Sequence, residues 1–202
     1  MDTDKIKEPS TNSEIHTLLY KRWSPRAFSD KPVETEKLQR IFEAARWSAS
    51  SSNFQPWFFL AGIKGDEVYS QIFSTLAEFN QLWAGTAPVL FLAIKKKTNP
   101  KGEVNRSSDY DLGQAVAMIS VQATAESLYV HQMGGFDAER AAILLGIPDD
   151  YEVRVAIALG YKGDPELLHP NLKKLEYTAR TRRDLEETVF TGKFGQKASF
   201  IL

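Results

Sequence analysis

The chain has 202 residues, 43% hydrophobic and 25% charged, with 25 basic against 26 acidic side chains and a formal charge of −1. That balance suits one globular domain and gives no electrostatic footprint for nucleic acid or an anionic membrane surface. Cysteine is absent, which excludes disulfides, thiolate metal sites, iron–sulfur clusters and cysteine nucleophiles.

Residues 1–10 read as a polar, poorly ordered arm without the apolar core of a signal peptide. No later stretch reaches the ~18 apolar residues of a membrane helix. The expectation is a soluble, cytoplasmic protein with no membrane partner. Thr11 with Glu14 three positions on is a capping-box pattern. It predicts a first helix through Ile15, Leu18 and Leu19 that ends before Pro25. Arg22, Ser24 and Arg26 follow within five residues, with Phe28 two positions further on. Guanidinium forks bind phosphate bidentately and a hydroxyl adds a donor. Cations at a helix end also complement its dipole without any ligand.

A second helix is expected after Pro32, with Leu38, Ile41, Phe42 and Ala45 forming one apolar stripe. Ser50-Ser51-Ser52-Asn53-Phe54-Gln55 is a run of small hydroxyls and carboxamides. It suits a turn, and equally a polyhydroxylated or heterocyclic ligand. Residues 56–61 read as a buried strand. Val68, Ile72, Leu76 and Phe79 mark a third helix, with Asn80 at its end. Residues 87–94 are the strongest strand, apolar enough to be central, and Lys95-Lys96-Lys97 should begin a solvated loop. Residues 108–132 are expected to be one long helix, buried on most sides at the centre of the fold or in a subunit interface, ended by Gly134-Gly135. Asp137 caps a short helix, and 151–161 alternates as a strand. Residues 164–202 are turn-rich and basic, with a short helix at 184–189. His16, His131 and His169 have no metal-ligand spacing and read as structural or surface residues.

Lys21-Arg22-Trp23-Ser24-Pro25-Arg26-Ala27-Phe28 and Ser50-Ser51-Ser52-Asn53-Phe54-Gln55-Pro56-Trp57, in this order, resemble the flavin-binding half of the nitroreductase family. One departure is Ala49, where the family usually has proline. The likeness runs from about Glu14 to Glu187 and implies one domain over 11–190, a polar arm over 1–10 and a tail over 191–202. The implied fold is α+β, a central mixed sheet flanked by helices in an interlocked homodimer.

By the same resemblance, Arg22, Trp23, Ser24 and Arg26 would contact FMN, and Ser50, Ser51, Ser52, Asn53 and Gln55 would reach the site of a second subunit. Asn80 would meet the pyrimidine edge of the ring. Met133, Gly134 and Gly135 would bring backbone amides close to it, glycine permitting the approach. Arg180 and Arg182, or Arg183, would complete the phosphate site. Flavin carries the chemistry, so no catalytic side chain or metal is expected. NAD(P)H would supply hydride, and a nitroaromatic, quinone or similar small acceptor would take it in turn. The alternatives are a flavin-storing protein, or other flavin chemistry such as dehalogenation or flavin cleavage.

Overall fold

A computed structural model describes residues 2–201, and its centre is the most apolar segment of the sequence. Strand β2 (Val89–Lys96) lies between β1 (Trp57–Ile63) and β4 (Tyr151–Gly160), and β3 (Tyr129–Met133) closes the order β1-β2-β4-β3. Every pairing is antiparallel, so the sheet among the described residues is antiparallel rather than mixed. Because side chains alternate across a strand, Leu90, Leu92 and Ile94 enter one core while Val89, Phe91 and Ala93 enter the other. A strand covered on both faces has no polar face, and this is why β2 reads as a continuous apolar run.

One layer consists of α3 (Thr35–Arg46) and α6 (Ser108–Ala125), which bury Ile41, Ala45, Leu112, Ala115, Val116 and Ile119 against the sheet. The opposite layer holds α4 (Glu67–Thr75), α5 (Glu78–Ala84), α7 (Ala138–Leu144) and α8 (Pro170–Glu176). Trp83, Ile72, Ala141 and Leu172 are fully buried there. Two short helices, α1 (Thr3–Ile6) and α2 (Thr17–Lys21), precede the sheet.

Several elements differ from the sequence expectation, each for a local reason. Helix α2 starts at Thr17 with His16 as its cap, Leu18 N–H donating to Nδ1 at 3.2 Å, so Thr11 and Glu14 lie outside it. The predicted helix over 68–79 is broken where Leu76 is extended and bridges Phe136, which leaves α4 and α5 as separate helices. The long helix stops at Ala125, and 129–133 is strand β3. Leu128 N–H bonds Ala123 C=O at 2.8 Å and Ser127 N–H bonds Thr124 C=O at 3.1 Å, with Ser127 at φ 61°. This is a Schellman stop with serine where glycine is usual, which hides it from a reading of composition. Gly134-Gly135 therefore follows a strand.

Lys95 and Lys96 complete β2, and Lys95 pairs with Asp109 at 2.6 Å and Glu152 at 3.2 Å rather than sitting in a solvated loop. In the C-terminal region α8 is a helix the composition did not announce, and the helix expected at 184–189 is a single 3-10 turn, Leu185–Glu187.

Residues 27–29 are fastened beside the end of β4. Gly163 N–H donates to Ala27 C=O at 2.8 Å and Ser29 N–H to Tyr161 C=O at 2.9 Å. A Cβ on Gly163 would lie 2.4 Å from the Phe28 carbonyl carbon and oxygen, which are backbone atoms and cannot swing aside. Gly163→Ala is therefore expected to lose about 1–3 kcal/mol of stability, read as a lower urea midpoint.

Candidate functional site

The segment carrying Arg22, Ser24 and Arg26 is held by its backbone, atom by atom. Arg22 caps α2 in an extended conformation. Its carbonyl accepts from Arg180 Nη1 at 2.5 Å, and the Tyr20 carbonyl accepts from Arg180 Nη2 at 2.8 Å. Pro25 C=O lies 2.8 Å from His131 Nδ1, and Arg26 N–H donates to Glu176 Oε1 at 2.9 Å. With the backbone so committed, burial alternates: Arg22, Ser24 and Arg26 are half-buried, while Trp23, Pro25 and Ala27 are buried. Trp23 is 4% exposed, donates its indole N–H to Asp4 Oδ1 at 2.8 Å and packs edge-on against Tyr129. Its side chain belongs to the core, so only its backbone is available to a ligand.

The 180–183 stretch is folded over α2. Arg180 spends Nε on the carbonyl of Lys7 and its two terminal nitrogens on Arg22 and Tyr20. Its guanidinium is a clamp. Arg182 bonds only the Thr181 carbonyl next to it, at 2.7 Å. Burial lowers the Arg22 pKa and the Arg182 charge lowers it further, with no carboxylate opposing either effect. Arg180 is depressed by burial and by both of these neighbours. Three like charges thus meet beside a cavity of about 520 Å³, lined by residues 9–13, Ile15, Leu19, Arg22 and residues 180–185. Arg26 adds a half-buried guanidinium whose Nε is enclosed without a hydrogen-bond partner.

The second predicted segment lies apart from this cavity. Ser52, Asn53 and Gln55 have φ of 50°, 56° and 48°, a conformation that costs non-glycine residues and points to function when clustered. Ser51 N–H is anchored by Asp111 Oδ2 at 3.2 Å, and Gln55 N–H by Ser50 Oγ at 3.0 Å. Asp111, only 2% exposed, was not among the expected site residues; an acid in the first turn of a helix is too common to single out. Ser51, Ser52, Asn53 and Gln55 remain exposed.

A third group forms around Asn80. Its Nδ2 donates to Gly135 C=O at 2.8 Å, and Ala77 N–H donates to the same oxygen at 3.0 Å. A Cβ on Gly135 would stand 2.9 Å from that Nδ2, whereas one on Gly134 would meet nothing within 4 Å. Gly135 thus serves the Asn80 contact, and the open space is over Gly134. Met133 is 2% exposed and belongs to the core. Arg22, Arg180 and Arg182 share the cavity of about 520 Å³, while 50–55 and 80/134–135 stand outside its lining.

Comparison with known proteins gives the class. The nitroreductase family profile matches residues 19–70 and 62–161, and the chain belongs to that family. A solved structure described as an oxidoreductase containing FMN superposes with a TM-score of 0.86 at 32% identity, over 93% of this chain and 96% of the other. An uncharacterised 15.4 kDa protein of Mycolicibacterium smegmatis, from the ask 5′ region, is 31% identical over 66% of this chain and 92% of its own length. A protein of Archaeoglobus fulgidus, provisionally named NADH dehydrogenase/NAD(P)H nitroreductase, is 24% identical over 73% of this chain and 84% of its own.

His131 reads out the integrity of the site. Burial pushes its pKa from 6.5 to about 4; the bond to the Pro25 carbonyl opposes this, and the Arg26 charge adds to it. The folded imidazole is neutral with its proton on Nδ1, facing the Pro25 carbonyl. Between pH 6.5 and 4 the unfolded chain therefore binds a proton that the folded chain refuses, and stability falls as pH falls through that window. The loss is on the order of 3 kcal/mol in full. His131→Phe should flatten that slope in urea midpoints taken from pH 7 to 4.5, and the difference between the two proteins isolates the imidazole from the carboxylates.

Proposed function

We propose that the protein is an FMN-dependent oxidoreductase that takes hydride from NAD(P)H and reduces nitroaromatics, quinones or similar electron-poor acceptors. The observation that carries this reading is the convergence of Arg22 and Arg182, residues 160 positions apart, on one cavity lined by four arginines (Arg22, Arg180, Arg182 and Arg183) against a single carboxylate, Asp184, which does not oppose the lowering of the Arg22 pKa. Such a donor set fits a phosphate monoester. Guanidinium forks supply bidentate donors and Ser24 a hydroxyl, and an anion would counter the Arg182 charge that adds to burial in depressing Arg22. The donors named for FMN are Arg22, Ser24, Arg26 and Arg182, with Arg180 fixing their geometry from behind.

When bound, FMN would supply reversible hydride chemistry that no side chain of this chain offers. The residues' share is to bind, orient and exclude water. The exposed amides and hydroxyls of 50–55 are held ready at a conformational cost, as a ligand-facing loop would be. Asn80 aims its neighbours' backbone, and Gly134 leaves an open approach. The 50–55 loop lies outside the cationic cavity, which supports a homodimer in which each chain lends its loop to the other's site. Helix α6 supports the same reading: behind its buried stripe, Tyr110, Gly113, Ala117 and Met118 make a second, exposed face of small and apolar residues. The nicotinamide donor draws on the name given to the Archaeoglobus relative, and a cytoplasmic setting accords with a chain that uses no cysteine.

Arg22→Ala and Arg182→Ala should each weaken FMN binding by about 1.5–3 kcal/mol in calorimetry. Arg180→Ala should lower thermal stability as well, because three carbonyls lose their donor. The reaction itself is tested by anaerobic mixing. The yellow holoprotein should bleach on addition of NADPH or NADH and recover its colour with a quinone. A fully loaded protein that stays yellow with both nicotinamides would instead be a flavin carrier. Sedimentation of the loaded protein should show a dimer at micromolar concentration.

A further inference from the structure

Three backbone carbonyls accept from Arg180, and one of them belongs to residue 7. Residues 2–8 are tied down along their length. Asp4 accepts from Trp23 Nε1 at 2.8 Å and Tyr129 OH at 3.1 Å, and it pairs with Lys162. Burial alone would raise the Asp4 carboxyl, but Lys162, Trp23 and Tyr129 together hold it below its ordinary value. Lys7 is 8% exposed. Its ammonium donates to Leu175 C=O at 2.8 Å and Thr178 C=O at 2.6 Å, which are carbonyls at and just past the C-terminal end of α8. An ammonium there meets the negative end of the helix dipole and satisfies acceptors that the helix leaves open.

The consequence reaches the anion site. Chain direction on leaving α8 decides where Arg180 and Arg182 arrive, and Lys7 sets that direction from one side while its own carbonyl receives Arg180 from the other. On the reading that the cavity takes the phosphate of a flavin nucleotide, we infer that residues 2–8 form a strap that holds the C-terminal arginines in register with Arg22. Lys7 is its positioning residue. It acts through Arg180 and the α8 exit, and the ligand's own contacts are Arg22, Ser24, Arg26 and Arg182. The strap therefore sets affinity for the phosphate end of the ligand and leaves the ring end untouched. Lys7→Met keeps the aliphatic stem and removes the donors, so it isolates this role.

The experiment compares FMN with riboflavin, which lacks the phosphate, by quenching of flavin fluorescence on titration with apoprotein. Lys7→Met should raise the Kd for FMN about tenfold, a change of about 1.4 kcal/mol, and leave the Kd for riboflavin within about twofold. Lys7→Arg should recover part of the FMN loss. Asp4→Asn, which loosens the strap upstream without touching the α8 cap, should show the same split with a smaller factor, and it decides the matter if Lys7→Met does not fold. Equal weakening of both flavins, or unchanged FMN binding in folded Lys7→Met and Asp4→Asn, would overturn the strap while leaving the flavin reading intact. A wild-type protein that binds neither flavin would sink that reading first and the strap with it.

Discussion

The guanidinium of Arg180, set on the carbonyls of Lys7, Tyr20 and Arg22, is the contact on which the rest of the candidate site depends. Tyr20 lies in the last turn of α2 and Arg22 is its cap, so the clamp sits where a helix leaves carbonyls open and its dipole is negative. Lys7 does the same for α8. Two cations on two helix ends thus join three parts of the chain that are remote in sequence. The acceptors of both are dipoles; no carboxylate offsets Arg180, whereas the buried Glu176 offsets part of the Lys7 charge. The positive charge that gathers Arg22 and Arg182 is kept, and it faces a cavity.

That arrangement is costly to the isolated chain. Arg22 is pushed below its ordinary pKa by burial and Arg182, Arg180 by burial, Arg22 and Arg182, and Arg26 encloses an Nε with nothing to bond. The left-handed residues of the 50–55 loop add strain of their own. Proteins keep such local losses where a ligand or a second chain repays them. The sheet can carry the cost. Strand β2 is enclosed between two helical layers, the 22–29 segment is fastened beside the end of β4, and Gly135 is fastened to the start of α5. A site built on backbone anchored this way is pre-organised, and this limits the ordering a ligand must impose.

Sequence alone determined what depends on neighbours in the chain. The apolar run at 87–94 reads as a strand covered on both sides, and 89–96 is one; the stripe through Leu38, Ile41, Phe42 and Ala45 reads as a helix face, and Asp137 does cap a helix, donated to by Arg140 N–H at 2.9 Å. The R-x-S-x-R and Ser50–Trp57 segments carried the family likeness because each is contiguous. What the tertiary structure decided is what depends on partners far away. Helix α6 ends at Ala125 because Ser127 takes a left-handed turn and β3 finds β4. Leu76 breaks a helix because Phe136 pairs with it. Asp4 and Lys7, read as part of a polar arm, are fixed by residues 19 to 171 positions away. No local pattern distinguishes Arg180 from Arg182, and yet Arg180 is spent on three carbonyls remote in sequence while Arg182 bonds the carbonyl next to it, both at one cavity. A charged side chain's role is set by the acceptors within its reach, and those are assigned only when the chain has folded.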